Sequence, residues 1–112
     1  MSVKIYHNPK CSKSRQTLAL IKEKGIELDI VEYLVNPPSA QELKDILDML
    51  ALEPHEILRQ REAREEGIDN DLDGATLIRE ICKHPRALQR PIVVKDGKAA
   101  VGRPPENVLN IL

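Results

Sequence analysis

Residues 3–25, VKIYHNPKCSKSRQTLALIKEKG, give the strongest indication of the fold class. Its first residues, Val3 to His7, alternate in polarity and have side chains that favour β-structure, so they predict a strand. The residues from Ser12 to about Lys24 predict a helix, which Gly25 ends. A second strand is predicted over LDIVEYL, residues 28–34. Two strands joined by a helix run parallel with a right-handed crossover, so the chain opens with a β-α-β unit.

A helical segment follows this unit. Ser39 and Glu42 have the spacing of a capping box, in which each side chain satisfies a backbone N–H near the other residue. A short helix is predicted around Pro54 to Leu58, and a longer one from about Asp73 to His84. The charged stretch from Glu62 to Asn70 fits either a solvated helix or a lid-like loop. The helix that Ser39 opens has apolar residues at core-facing spacing: Leu43, Ile46, Leu47 and Leu50.

The clearest β-hairpin lies further along the chain. The runs PIVVK (91–95) and KAAV (98–101) are strand-like, and Asp96-Gly97 between them is a favoured two-residue turn. Arg103-Pro104-Pro105 then leads into a last helix, because proline in the first turn of a helix loses no needed donor. The residues of this helix that we expect to face the core are Val108, Leu109, Ile111 and Leu112.

The order of these elements predicts the fold class. A β-α-β unit, helices, a hairpin and a final helix indicate an α/β fold of the thioredoxin-like type. This fold has a mixed four-stranded sheet flanked by helices, with a helical insertion between the β-α-β unit and the C-terminal hairpin. We expect a single domain over residues 1–112, because this length is typical of one domain.

Composition excludes several classes of function. Aromatic residues make up 2% of the chain, which argues against a nucleic-acid-binding module with aromatic stacking platforms. The 17 basic residues nearly balance the 18 acidic ones, so no overall field would recruit nucleic acid or a membrane. The chain has neither an apolar run of membrane-spanning length nor a signal-peptide pattern. We therefore expect a cytoplasmic monomer in which both cysteines stay reduced.

Cys11 carries the strongest chemical signal. It is predicted to lie between a strand and the start of a helix, where unpaired N–H groups and the helix dipole favour an anion. Lys10, Lys13 and Arg15 add positive charge around it. Each feature stabilises the thiolate over the thiol, so we interpret Cys11 as a nucleophile with a lowered pKa. The alternative interpretation is a cysteine that merely packs at a strand–helix junction.

Two familiar thiol motifs are missing from the sequence. A redox C-x-x-C motif would need a cysteine at the position of Ser14, and a phosphatase C-x5-R motif would need an arginine at that of Thr17. A modified Cys11 must therefore be restored by an external thiol or by Cys82. We interpret Cys82 as buried and inert, because it shares a predicted helix face with apolar residues.

Three arginines are candidates for an oxyanion pocket. Arg90 and Arg103 flank the hairpin, each before a proline, and Arg59 follows the short helix. Guanidinium groups suit tetrahedral oxyanions because they donate bidentately, although any one of these arginines alone also fits a solvated surface residue. His7 can tune the thiolate, orient the loop or cap the strand, and the sequence does not choose. No Cys and His cluster has metal-ligand spacing, so we predict no metal site.

One run of the chain, YHNPKCSKSR at residues 6–15, resembles the active-site loop of the glutaredoxin-linked arsenate reductases. The residues after Cys11 and around Arg59 are closer to a chromosomal sister group of that family. Further similarities follow in the same order along the chain: Tyr33-Leu34 with Asn36-Pro37-Pro38, Ile57-Leu58-Arg59, Arg90-Pro91-Ile92-Val93-Val94 and Gly102-Arg103-Pro104.

This resemblance implies a thioredoxin-like fold and a reaction in which Cys11 forms a covalent thiol–arsenate adduct. It implies that His7 and Ser14 support the thiolate, and that Arg90-Pro91 lies where thioredoxin-like proteins have a cis proline. No cofactor would be bound; glutathione would be the reducing co-substrate and glutaredoxin the protein partner. The residues that would hold the arsenate or a similar oxyanion are Arg59, Arg90 and Arg103.

Two other functions stay open from the sequence. One is a glutathione-dependent thiol oxidoreductase without arsenate activity, which would use the same nucleophile. The other is a regulatory module of thioredoxin-like fold that binds RNA polymerase. Ser14, in the place of a second cysteine, weighs against a C-x-x-C redox sensor, though not against binding as such.

Overall fold

The computed structural model describes residues 3–69 and 71–112. Over those residues, the predicted strands and helices form in the expected order. The elements are β1 (Val3–His7), α1 (Ser12–Glu23), β2 (Leu28–Glu32), α2 (Ala40–Leu50), α3 (Gln60–Glu65), α4 (Gly74–Lys83), β3 (Ile92–Lys95) and β4 (Lys98–Val101), with 3₁₀ helices at Pro54–Ile57, Pro85–Ala87 and Pro105–Asn110.

The chain divides into two compact units, one formed by residues up to 36 together with 90–112, and the other by residues 37–89. In the first unit the strands form a mixed sheet in the order β2-β1-β3-β4. β1 is parallel to β2 and antiparallel to β3, and β3 is antiparallel to β4. The predicted α/β fold with a mixed four-stranded sheet is therefore confirmed, whereas the single domain over residues 1–112 stays a prediction.

The core of the first unit lies on one face of this sheet. Val3 and Ile5 alternate along β1 and so point to the same side, where they meet Ile21 of α1 and Val93 of β3. Val108 of the C-terminal 3₁₀ helix completes this cluster. The result is the aliphatic core expected from so few aromatic residues.

In the first unit, the end of β2 and the type of the last helix differ from prediction. β2 ends at Glu32 rather than Leu34, because the N–H groups of Val35 and Asn36 turn back to the Glu32 carbonyl at 3.0 and 2.9 Å. The last helix is a 3₁₀ helix, and Leu109, predicted to face the core, is 39% exposed. A 3₁₀ helix has three residues per turn, so Val108 and Ile111 lie on the same side of it, against the core. Leu109 lies on a different side and is exposed to solvent.

The hairpin between β3 and β4 is as predicted. Asp96 has φ of 49° and Gly97 has φ of 76°, so both central residues of the turn lie in the left-handed region. That geometry is the two-residue turn whose twist matches the flanking strands. Its ends at Arg90 and Arg103 thereby stand beside each other, since β3 and β4 pair along their length.

The second unit is helical, as the sequence predicts. The Ser39 hydroxyl accepts the Glu42 N–H at 3.1 Å, and the Glu42 carboxylate accepts the Ser39 N–H at 3.3 Å, which confirms the capping box. α2 packs on α4 through its apolar stripe. Of the charged stretch from Glu62 to Asn70, the first residues belong to α3, so the helical alternative holds as far as Glu65. Asn70 lies outside the described residues.

Candidate active site

Cys11 is the residue that immediately precedes α1. Its backbone is extended, with φ of −94° and ψ of 123°, and its carbonyl accepts the Arg15 N–H at 3.0 Å as the first bond of the helix. Its own N–H donates to the Asn8 carbonyl at 3.0 Å, which closes the loop. The sulfur therefore sits at the positive end of a twelve-residue helix, where unpaired N–H groups favour an anion.

The pKa of the Cys11 thiol is lowered from its ordinary value. Partial burial alone would raise it, but that effect is outweighed by the backbone N–H of Ser14, the guanidinium of Arg90 and the backbone N–H of Lys13. The thiolate is the nucleophilic form of cysteine. Cys11 therefore has both the exposure and the charge environment of a reactive thiol.

Arg103 approaches the sulfur from the end of the hairpin. Its Nη2 atom lies 3.8 Å from Cys11 Sγ, and its Nε–H donates to the Arg90 carbonyl at 2.8 Å. The hydrogen bond from Nε–H orients the guanidinium plane, and the terminal nitrogen Nη2 lies next to the thiol. The Arg90-Pro91 and Arg103-Pro104 peptides are both cis, the first as the resemblance implies. Two of the three predicted arginines are thus found at Cys11.

Gly102 allows the hairpin end to come this close to α1. A Cβ atom at this position would lie 2.6 Å from Thr17 Oγ1 and 2.8 Å from Pro91 Cγ, far inside contact distance. The Gly102 N–H also donates to the Pro91 carbonyl at 2.9 Å. Glycine is therefore needed for close approach, and it places the neighbouring Arg103 at the loop.

His7 and Ser14 lie beneath the loop and are both buried. His7 Nδ1 is 2.6 Å from Ser14 Oγ, and the same oxygen accepts the Asn8 N–H at 3.0 Å. The pKa of His7 is lowered, chiefly by burial and in part by the positive charges of Lys22 and Arg15, although Glu32 opposes the shift. The ring is therefore neutral near pH 7. This geometry ties the loop to α1; thiolate support by the His7 and Ser14 side chains stays a prediction.

Asn8 and Tyr33 belong to the site but were not singled out from the sequence. Asn8 Oδ1 accepts the Lys10 N–H at 3.0 Å, a side-chain turn that shapes the loop before Cys11. Tyr33 is fully buried beside Asn8 and Arg90. The signal for Asn8 was its place before Pro9 in a turn. Tyr33 is one of the similarities to the arsenate reductases, but its burial beside Arg90 depends on the tertiary fold.

Arg59, the third predicted arginine, lies in the second unit. Its Nη2 atom is 3.0 Å from Glu62 Oε2, and both side chains are about four-fifths buried, with exposures of 22% and 16%. Its backbone N–H donates to the Ala87 carbonyl. The buried carboxylate fixes the guanidinium within this unit, and a role for Arg59 in oxyanion binding stays a prediction.

Cys82 is less buried than predicted. It lies near the end of α4 and is half-buried rather than fully buried, because it sits at the margin of the helix face that Leu77, Ile78 and Ile81 bury. Burial, and to a lesser extent the negative charge of Glu42, raises the pKa of its thiol. An inert thiol is consistent with this environment.

Two general features of the described chain complete the picture. Over residues 3–69 and 71–112, no group of three or more His, Cys, Asp or Glu side chains is arranged to hold a metal ion. None of the helices within those ranges is long and apolar enough to cross a membrane.

Comparison with known proteins relates this chain to the ArsC family and to arsenate reductases. A family model described as the ArsC family matches residues 6–111. An arsenate reductase of Neisseria meningitidis is 48% identical over 98% of this chain and 97% of its own length. YfgD of Escherichia coli, an uncharacterized protein, is 46% identical over 98% of this chain and 96% of its own. A solved structure of an arsenate reductase from Vibrio cholerae has a TM-score of 0.92 and 46% identity, covering 100% of this chain and 98% of that one.

Proposed function

We propose that this chain, which belongs to the ArsC family, reduces arsenate to arsenite with Cys11 as the nucleophile. The observation that carries the proposal is the position of the Arg103 guanidinium, 3.8 Å from the Cys11 sulfur at the start of α1. A cation so close to a thiolate serves two purposes, since it lowers the thiol pKa and attracts an incoming oxyanion. Relatives named arsenate reductases, similar over almost their whole length, support the choice of substrate.

The first step is attack by the Cys11 thiolate on pentavalent arsenic. A sulfur–arsenic bond forms, and one arsenate oxygen leaves as water after it takes up protons. Arg90 and Arg103 balance the negative charge of the arsenate oxygens, and Arg59 is the proposed third ligand. The N–H groups of Lys13 and Ser14 hold the sulfur as a thiolate before it attacks.

The second step reduces the arsenic. A glutathione thiolate attacks the Cys11 sulfur, the sulfur–arsenic bond breaks, and its electron pair stays on arsenic, which leaves as trivalent arsenite. Cys11 is then joined to glutathione in a mixed disulfide. A glutaredoxin thiolate attacks the glutathione sulfur and releases Cys11 as a thiolate. In total, arsenate and two thiols give arsenite, one disulfide and water.

This scheme needs no bound cofactor, because the electrons come from glutathione and glutaredoxin. It also needs no second cysteine in the loop, in agreement with Ser14 at the position where a C-x-x-C motif would continue. We place the protein in the cytoplasm, where reduced glutathione is available, and we expect it to act as a monomer.

The test is arsenate-dependent NADPH consumption by the purified protein with glutathione, glutaredoxin and glutathione reductase. We expect consumption that depends on arsenate and on every component of the thiol chain. If arsenate has no effect while a Cys11–glutathione disulfide is still reduced by glutaredoxin, the protein is a thiol oxidoreductase and the arsenate proposal is wrong.

A further inference from the structure

Tyr33 is the largest fully buried side chain of the protein's described part, with 0% exposure. It follows β2 at the turn where the chain bends back on Glu32. Its phenol ring ends beside the Arg90 guanidinium and the Asn8 side chain, close enough to Cys11 to sense its charge. Burial raises the pKa of this hydroxyl, so it stays a neutral phenol with one proton to donate and lone pairs to accept.

Two buried polar atoms in this region have no hydrogen-bond partner within the described chain, the Tyr33 hydroxyl and Arg90 Nε. Buried polar groups are nearly always paired, so an unpaired one calls for an explanation. The two groups are chemically complementary, since an arginine Nε–H can only donate and a phenol oxygen can accept. They also belong to neighbouring side chains, and one of those side chains acts on the Cys11 thiolate.

We propose that Tyr33 is a positioning residue for Arg90: its hydroxyl oxygen accepts the Arg90 Nε–H and so holds the guanidinium at the Cys11 thiolate and at an oxyanion bound there. The pairing leaves the terminal nitrogens of Arg90 for the thiolate and the anion. Arg103 has the equivalent support in place already, because its Nε–H is held by the Arg90 carbonyl at 2.8 Å. Each arginine beside Cys11 would then be oriented through Nε and would act through its terminal nitrogens.

Tyr33 acts only through Arg90 in this arrangement. Its hydroxyl is buried and cannot touch a ligand itself, so it takes no part in the chemical step. The Asn8 side chain also lies beside the Tyr33 hydroxyl, and its Oδ1 atom accepts the Lys10 N–H at 3.0 Å. The inference rests on the proposed function for the identity of the oxyanion, but not for the effect on the thiol.

The test compares wild type, Tyr33→Phe, Arg90→Ala and the double variant. The first readout is the rate of Cys11 alkylation by iodoacetamide against pH, which needs no substrate and stays readable if arsenate is not reduced. The second is the dissociation constant for arsenate, with sulfate as a second tetrahedral anion. Thermal unfolding of each variant shows whether the fold is retained, and Tyr33→Phe keeps the buried ring.

We expect Tyr33→Phe to raise the Cys11 pKa and to weaken anion binding by roughly threefold to tenfold, as for loss of one hydrogen bond. In the Arg90→Ala background the same substitution should change neither quantity, because the residue it positions is gone. Equal effects of Tyr33→Phe in both backgrounds would overturn the proposal, and so would a folded Tyr33→Phe protein with unchanged pKa and unchanged anion binding.

Discussion

The two cysteines of this chain occupy different regions, the loop before α1 and the last turn of α4, and their thiol pKa values move in opposite directions. Both are partly exposed, so access alone does not separate them. Cys11 has backbone N–H groups and a guanidinium around its sulfur. Cys82 has burial and the negative charge of Glu42, near the end of a helix rather than its start.

This contrast shows that reactivity belongs to the position and not to the residue type. At the start of α1, unpaired backbone N–H groups stabilise the Cys11 thiolate, whereas burial beside the negative charge of Glu42 favours the neutral thiol at Cys82. Three groups of substitutions test this contrast.

The largest effect should come from removing the sulfur of Cys11, with removal of the Cys82 sulfur as the comparison. We expect Cys11→Ser to lower arsenate reduction by at least about a hundredfold, because a serine hydroxyl is a far weaker nucleophile at neutral pH. Cys82→Ala should keep most of the activity. The measurement is arsenate-dependent NADPH consumption under multiple-turnover conditions. If Cys82→Ala completes one turnover and then stops, Cys82 is a resolving thiol and external thiols do not suffice.

The second prediction concerns the guanidinium groups of the two arginines beside Cys11. Arg90→Ala and Arg103→Ala should each raise the pKa of Cys11 and weaken oxyanion binding, by about 1.5–3 kcal/mol or roughly tenfold to a hundredfold. The effect of Arg103 should lie near the lower end, since its side chain is exposed and solvent screens its charge. Lysine should restore more of the pKa than of the binding, because it lacks the planar fork.

Arginines of the second unit are the matched controls for these variants. Arg61 and Arg86 both pair with Glu65, and their replacement by Ala should leave Cys11 alkylation and oxyanion titration nearly unchanged. Arg59→Ala should behave like Arg90→Ala if it is the third ligand. Equal effects from Arg61 and Arg86 would mean that overall charge, rather than a defined pocket, governs the thiol.

The smallest effect should appear at Cys82. Glu42→Gln removes the negative charge that raises the Cys82 pKa, while glutamine can still serve in the capping box with Ser39. We expect the pKa of Cys82 to fall and its alkylation rate at pH 8 to rise by less than about tenfold, because burial is the main cause of the shift. The measurement is made in the Cys11→Ser background, so that only one thiol reacts. An unchanged rate would leave burial as the sole cause.

Local signals predicted most of the fold correctly. The Ser39–Glu42 capping box and the Asp96-Gly97 turn depend on neighbours a few residues away, and both formed as expected. The errors came where packing decided the outcome. The last helix tightened to a 3₁₀ helix that left Leu109 exposed, although its sequence spacing also suited an α-helix.

The site was predictable to the same extent. Cys11 at a helix start follows from local sequence, and the place of Arg90 and Arg103 at the two ends of one hairpin brings them together. The inward orientation of Tyr33 was not predictable, because nothing in LDIVEYL distinguishes a tyrosine that turns inward to an arginine from one at a strand edge. Only the sheet register and the turn after β2 decide that.

Gly102 has a consequence for how this protein tolerates mutation. The position requires glycine because it leaves no room for a side chain: a Cβ atom would lie 2.6 Å from Thr17 Oγ1 and 2.8 Å from Pro91 Cγ. In a library that replaces each residue in turn, we therefore expect selection for activity to deplete every variant at position 102, alanine included. A selection for activity would rank it with Cys11, although it has no functional group at all. Essential positions in such a map mark space that must stay empty as well as atoms that must be present.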